Sequence, residues 1–164
     1  MSGRSTPATV AAFTAGVSCT VHEYPHDPHS TSYGLEASEA LGVASMRVLK
    51  TLVAQIERSG RTELTVAMVP VDCSLDLKLL AGALGVKLAE MATVAAAERS
   101  TGYVVGGISP LGQRRMLSTV IDESVFLHDT VFVSAGRRGL EIELAPDDLV
   151  SLTVAIVAAI ASVG

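Results

Sequence analysis

The stretch from Met46 to Val69 constrains the fold most. Met46–Ile56 and Leu64–Val69 are apolar runs rich in branched side chains, separated by Arg58-Ser59-Gly60-Arg61. Such runs favour extended chain, and a short polar, glycine-containing segment between them turns the second back beside the first. A long hairpin is therefore expected inside a sheet. Period-two alternation in its first arm puts Met46, Val48, Lys50 and Leu52 on one face. An ammonium on an otherwise apolar face needs an anionic partner or a ligand, because an unpaired buried charge is costly. The alternatives are that Lys50 snorkels to the rim or pairs with a structural carboxylate.

Short elements of both kinds surround the hairpin. Thr6 and Pro7 open a helix that Gly16 can end, and Ser32 caps a helix over Tyr33–Leu41 closed by Gly42. Ser74 opens a helix with Leu77, Leu80, Ala81 and Leu84 at helical spacing and Gly85 beyond its end, and Thr93 caps another reaching about Arg99. Pro146 starts a last helix, with Asp147 and Asp148 in its first turn and Leu149–Val163 as its buried apolar continuation. Thr20–Tyr24, Tyr103–Val105, Thr119–Asp122, Thr130–Ser134 and Leu140–Leu144 read as further strands, the last two joined through Ala135–Gly139. Strands interrupted by helices, with hairpins present, predict an α+β fold. No repeat or linker divides the 164 residues, so one domain over 1–164 is expected.

Composition narrows the function. Hydrophobic residues make up 49% of the chain and aromatics only 4%, so the core must be aliphatic. A net charge of −5 provides no global basic field for nucleic acid, and no DNA partner is expected. RNA contact would have to be local. Arg114-Arg115 and Arg137-Arg138 are candidates for it, or else ordinary solubilising charge. Cys19 and Cys73 lack metal-ligand spacing, which fits a reduced, cytoplasmic protein. The N-terminus has no signal-peptide pattern, and Leu149–Val163 is shorter than the roughly 20 residues a membrane span requires. His22, His26 and His29 have loosely zinc-like spacing, but Pro25 and Pro28 interrupt it and no second ligand cluster follows. Neither a metal nor a cofactor is expected.

No G-x-S-x-G elbow, P-loop or dinucleotide fingerprint is present. Cys73, just before the expected helix start, is either a thiol of lowered pKa or a small buried hydrophobe. One loop attracts more notice. Gly106-Gly107 follows the apolar Tyr103–Val105, and Pro110 restricts both itself and Ser109. Glycines there allow close backbone approach to a ligand, so the loop could present N–H groups to a carbonyl or carboxylate. It could equally be an ordinary tight turn.

Several segments together resemble the YbaK/ProX family of aminoacyl-tRNA deacylases. They are His22-Glu23-Tyr24, Tyr33–Gly42, Leu49–Val53, Leu75–Ala81, Thr101–Pro110 and Val133–Glu141, in order over about residues 20–150. The sequence is most similar to the YbaK-type branch, the free-standing Cys-tRNA(Pro) deacylases, which are similar to the editing domain of bacterial prolyl-tRNA synthetases. The resemblance implies a single curved, barrel-like mixed sheet flanked by helices, acting on the 3′ aminoacyl-adenosine end of mischarged tRNA. It implies Lys50, Gly106 and Gly107 as catalytic residues. Tyr24, Tyr33, Thr51, Ile108, Ser109, Pro110, Ser134 and Glu141 are the implied substrate contacts. Glu141 stands where an aspartate is also found in the family. The Gly106 and Gly107 N–H groups would then stabilise a developing oxyanion. A cysteinyl ester would supply its own thiol as nucleophile; the alternatives are a deacylase for another mischarged tRNA such as Ala-tRNA(Pro), or a non-catalytic module that binds an amino acid, nucleotide or synthetase in the same pocket. The acidic charge implies weak intrinsic tRNA affinity, which makes prolyl-tRNA synthetase an expected partner.

Overall fold

In the computed structural model, residues 4–30 and 32–163 are described. Their order is α1 (Pro7–Thr14), β1 (Cys19–Glu23), α2 (Tyr33–Leu41), a 3-10 turn (Ser45–Arg47), β2 (Leu49–Arg58), β3 (Arg61–Pro70), β4 (Cys73–Leu75) and α3 (Leu77–Leu84). Then follow β5 (Ala89–Met91), α4 (Val94–Thr101), β6 (Ser118–Asp122), a 3-10 turn (Glu123–Leu127), β7 (Val131–Ser134) and β8 (Leu140–Leu144). The chain continues through α5 (Pro146–Thr153), β9 (Ile156–Ala158) and β10 (Ala161–Val163). The fold is α+β.

The expected hairpin is the backbone of the molecule, with Leu49 opposite Pro70 and Arg58 opposite Arg61. It centres a mixed five-stranded sheet ordered β5-β2-β3-β6-β9, in which β3–β6 and β6–β9 are parallel. A second, antiparallel sheet is ordered β1-β8-β7, and β10 pairs with β4. A parallel bridge from Val48 to Phe132 links the two larger sheets. Among the described residues they do not close into a barrel.

The main core lies between these sheets. Leu49, Val53, Val66 and Met68 from the hairpin meet Val131, Val133, Leu140 and Ile142, with Ala8 and Ala12 of α1 sealing one side. The opposite hairpin face, through Ala54, Ile56, Ala67 and Val69, packs on Leu80, Ala81 and Leu84 of α3. Burial on both faces explains why the arms read as nearly continuous apolar runs. The core is aliphatic, its large aromatic members being Tyr24, Tyr103 and Phe132.

Four expectations need correction. Met46 lies in the 3-10 turn and is exposed, because β2 starts only at Leu49. Ser74 does not open α3: it lies in β4 opposite Ser162, and Asp76 caps the helix by accepting from the Lys78 and Leu79 N–H groups. Tyr103–Val105 is not a strand. Left-handed Gly102 ends α4, Tyr103 turns inward to donate its hydroxyl to the Leu111 carbonyl, and Val104 and Val105 are exposed. The last helix stops at Thr153, with β-branched Val154 at φ 53°, and the remaining chain forms β9 and β10. Tertiary pairing with β6 and β4 outweighs the local helical pattern there.

Asp122 fastens that C-terminal segment. Its carboxylate accepts from the Ile160 and Ala161 N–H groups at 3.0 and 2.9 Å, and from the Ser124 N–H and hydroxyl. Burial opposes its ionisation, but these hydrogen bonds prevail and hold its pKa below 3.8. Its contribution to stability is therefore present above that value and lost as pH falls through the lower folded value. Asp122→Ala is expected to cost about 2–4 kcal/mol at neutral pH, read from urea unfolding, because two backbone donors lose their buried acceptor. No helix among the described residues is long and apolar enough to cross a membrane.

Candidate active site

A cavity of about 560 Å³ opens between the two larger sheets and α2. That volume lies within the usual range for small-molecule sites. Its floor is the start of β2, from Leu49 to Val53. Its walls are the first turn of α2, Val94 and Ala97 of α4, the loop around Gly106, and the β7–β8 hairpin. Lys50 and Thr51 place polar groups among the apolar Leu49, Leu52 and Val53 of that floor.

Of the residues singled out in the sequence, Tyr24, Tyr33, Lys50, Thr51, Gly106, Ile108, Ser134 and Glu141 line this cavity. Gly107, Ser109 and Pro110 do not. A Cβ on Gly107 would sit 2.7 Å from the Arg137 Cα, so this glycine packs against the hairpin backbone. Its N–H already donates to the Val104 carbonyl at 2.8 Å, which leaves it unable to serve as the expected oxyanion donor in this geometry. Among the described residues, the N–H groups of Gly106 and Ile108 have no protein acceptor. Ser109 is fully buried, with its hydroxyl accepting from the Leu111 N–H. Pro110 faces a smaller cavity, of about 210 Å³, beside Ala11 and Leu152.

Lys50 sits opposite Val69 in the hairpin, half-buried on the cavity wall. Among the described residues it makes no ion pair and donates no hydrogen bond. The pairing alternative is therefore not met, since no carboxylate among the described residues lies within 4.0 Å of it. The Thr51 hydroxyl is likewise buried without a partner.

Glu141 lies opposite both Ser134 and His22 in the antiparallel sheet and is 6% exposed. Burial pushes its carboxyl from 4.5 to about 8, so it is protonated at neutral pH. Burial also pushes Tyr24 up to about 12, with the nearby Glu141 carboxylate adding to the effect. At neutral pH Glu141 and Tyr24 therefore add neutral O–H groups, not negative charge, to the wall that carries Lys50. The raised value has a stability consequence. Below 4.5 both folded and unfolded chains hold the proton; between 4.5 and about 8 only the folded chain does, so stability declines as pH rises through that window. Glu141→Gln is expected to remove most of this decline, making the urea midpoint nearly level between these pH values where the unmodified protein loses a few kcal/mol.

Two residues have supporting roles that the sequence did not indicate. Arg138 stacks over the Tyr33 ring, 4.3 Å from its centroid, and donates to the Asp27 carbonyl and to Glu36. It holds one cavity wall rather than acting as free surface charge. Glu98 accepts from the Val105 N–H at 2.8 Å and so ties the glycine loop to α4. No local pattern marks either one, because each partner is distant in sequence or lies in a loop. Cys73 is outside the cavity wall, and burial, with Asp72 beside it, raises its thiol pKa although Lys50 opposes this. His22 hydrogen-bonds Glu143 at 2.8 Å in the outer sheet.

Residues 27–152 match the aminoacyl-tRNA editing domain, and the chain belongs to that family. Its general activity is therefore aminoacyl-tRNA editing, with aminoacyl-tRNA as the substrate class. The chain is 41% identical over 116 residues, 71% of its length and 69% of the relative's, to EbsC of Enterococcus faecalis, named as a candidate Cys-tRNA(Pro)/Cys-tRNA(Cys) deacylase. It is 29% identical over 114 residues, 70% of each chain, to the uncharacterized protein YwhH of Bacillus subtilis. A crystal structure described as a candidate trans-editing enzyme for prolyl tRNA synthetase superposes with a TM-score of 0.84 at 26% identity, covering 99% of both chains.

Proposed function

We propose that this protein deacylates Cys-tRNA(Pro), admitting the 3′ aminoacyl-adenosine end of the mischarged tRNA into the cavity and releasing the amino acid through the substrate's own thiol. The observation that carries this reading is the uncompensated ammonium of Lys50 on the wall of a largely apolar cavity. An ester or ribose oxygen supplies the partner that the protein withholds. When the carbonyl is attacked, negative charge develops on its oxygen, and donors already fixed in place stabilise it. The unbonded N–H groups of Gly106 and Ile108 fill that role in place of Gly107.

The nucleophile belongs to the substrate. Among the described residues the wall carries neither histidine nor cysteine, and the Ser134 hydroxyl accepts from the Gly136 N–H at 3.2 Å. The cysteinyl sulfur forms a bond to its own carbonyl carbon, the ester C–O bond breaks, and the thiol proton ends on the departing ribose oxygen. The products are a thiolactone and free tRNA. Confinement favours this step by holding sulfur and carbonyl together. The name of the Enterococcus faecalis relative supports a cysteinyl substrate, and the structural neighbour's description supports prolyl-tRNA synthetase as a partner delivering the tRNA.

Single-turnover deacylation of Cys-, Ser- and Ala-tRNA(Pro) tests the assignment. Cysteine is expected to react about 100-fold faster than serine, because a hydroxyl is a much poorer nucleophile at neutral pH. Equal rates for all three would exclude thiol chemistry, and no release from any of them would remove the deacylase activity itself.

A further inference from the structure

We propose that Arg99, Arg114 and Arg115 form a phosphate-binding patch that holds the RNA strand leading into the cavity. This proposal rests on the tRNA-editing reading above.

Most of the chain's other arginines are occupied. Arg4, Arg47, Arg58, Arg137 and Arg138 each have a carboxylate within 4.0 Å. Arg99, Arg114 and Arg115 are exposed, and none of them has such a partner among the described residues. The neighbouring acid, Glu98, spends its carboxylate on the Val105 N–H.

The backbone builds the cluster. The Arg114 N–H donates to the Thr101 carbonyl at 2.9 Å and the Arg115 N–H to the Ser100 carbonyl at 3.1 Å, strapping both arginines to the end of α4 that carries Arg99. Gly102 supplies the left-handed conformation, φ 82°, that ends the helix beside Arg114. The negative pole of a helix C-terminus amounts to only about half a charge. It accounts for one arginine, not three.

The position fits a polyanion entering the site. Val94 and Ala97 of the same helix line the cavity, as does Gly106. From Gly102 to Gly106 the chain can extend at most about 14 Å. A few nucleotides of an RNA strand cover that distance. Elsewhere a chain of net charge −5 repels RNA, so attraction has to be local. Guanidinium groups suit the task because they bind phosphate through two parallel hydrogen bonds.

The test uses the full chain in three forms: unmodified, Arg99→Ala/Arg114→Ala/Arg115→Ala, and the same three positions changed to Lys. Fluorescence anisotropy across a KCl series measures binding of uncharged tRNA(Pro). Cleavage of the ester of cysteinyl-adenosine, too short to reach the patch, measures the cavity alone. The alanine form is expected to bind tRNA about tenfold more weakly at low salt, and its log–log salt slope to be shallower by about 2–3. The lysine form should keep most of the slope, and all three should cleave cysteinyl-adenosine alike. Unchanged affinity and slope in the alanine form, or no tRNA binding by the unmodified chain, overturns the patch even if cysteinyl-adenosine is cleaved. If tRNA binding depends on the arginines while no ester is cleaved, the patch stands and the deacylase reading fails.

Discussion

Lys50→Ala is expected to lower single-turnover deacylation of Cys-tRNA(Pro) by about 100- to 1,000-fold, the usual cost of removing one fixed donor to a developing oxyanion. The protein should remain folded. Lys50 contributes no ion pair or hydrogen bond among the described residues, so its removal deletes a charge that the fold does not use. Urea unfolding should show stability unchanged or raised, since a half-buried unpaired ammonium is a desolvation cost. Lys50→Arg should rescue only part of the rate, because a planar fork cannot place its charge where a single ammonium does. A folded alanine variant with near-normal rates would take Lys50 out of the mechanism.

Blocking the substrate sulfur should have a comparable effect. S-methyl-cysteinyl-tRNA(Pro) cannot release a proton from sulfur or close a neutral thiolactone, so its single-turnover rate is expected to fall at least 100-fold. Binding should persist, because the cavity of about 560 Å³ has room for one more methyl group. Attack by a water in the cavity predicts little sensitivity to the methyl group. Equal rates for the free and methylated esters, with affinities measured separately, would replace substrate assistance with water attack and leave the deacylase assignment standing.

The candidate site was partly legible in the sequence. Lys50 stands out because a charge interrupts an apolar period-two run, and that anomaly survives in three dimensions as an ammonium without a partner. The Gly106-Gly107 pair is equally visible, but its division of labour is not. Which glycine faces the cavity depends on the Arg137 backbone, brought against Gly107 by a hairpin far along the chain. Glu141 is recognisable only through the resemblance, and its protonated state comes from burial between sheet and cavity.

Local sequence determined the elements whose signals are self-contained. The β2–β3 hairpin, the α1 start at Thr6 and Pro7, the left-handed stop of α2 at Gly42 and the aliphatic core follow from chain stereochemistry and side-chain periodicity. Tertiary structure decided the rest. Leu149–Val163 carries enough apolar residues for one long helix, yet parallel pairing with β6 and the Asp122 acceptor make its second half extended. Arg138 looks like surface charge until Tyr33 lies beneath it. Local patterns report what a segment can do alone, whereas a buried hydrogen bond or an unpaired charge depends on segments that only folding brings together.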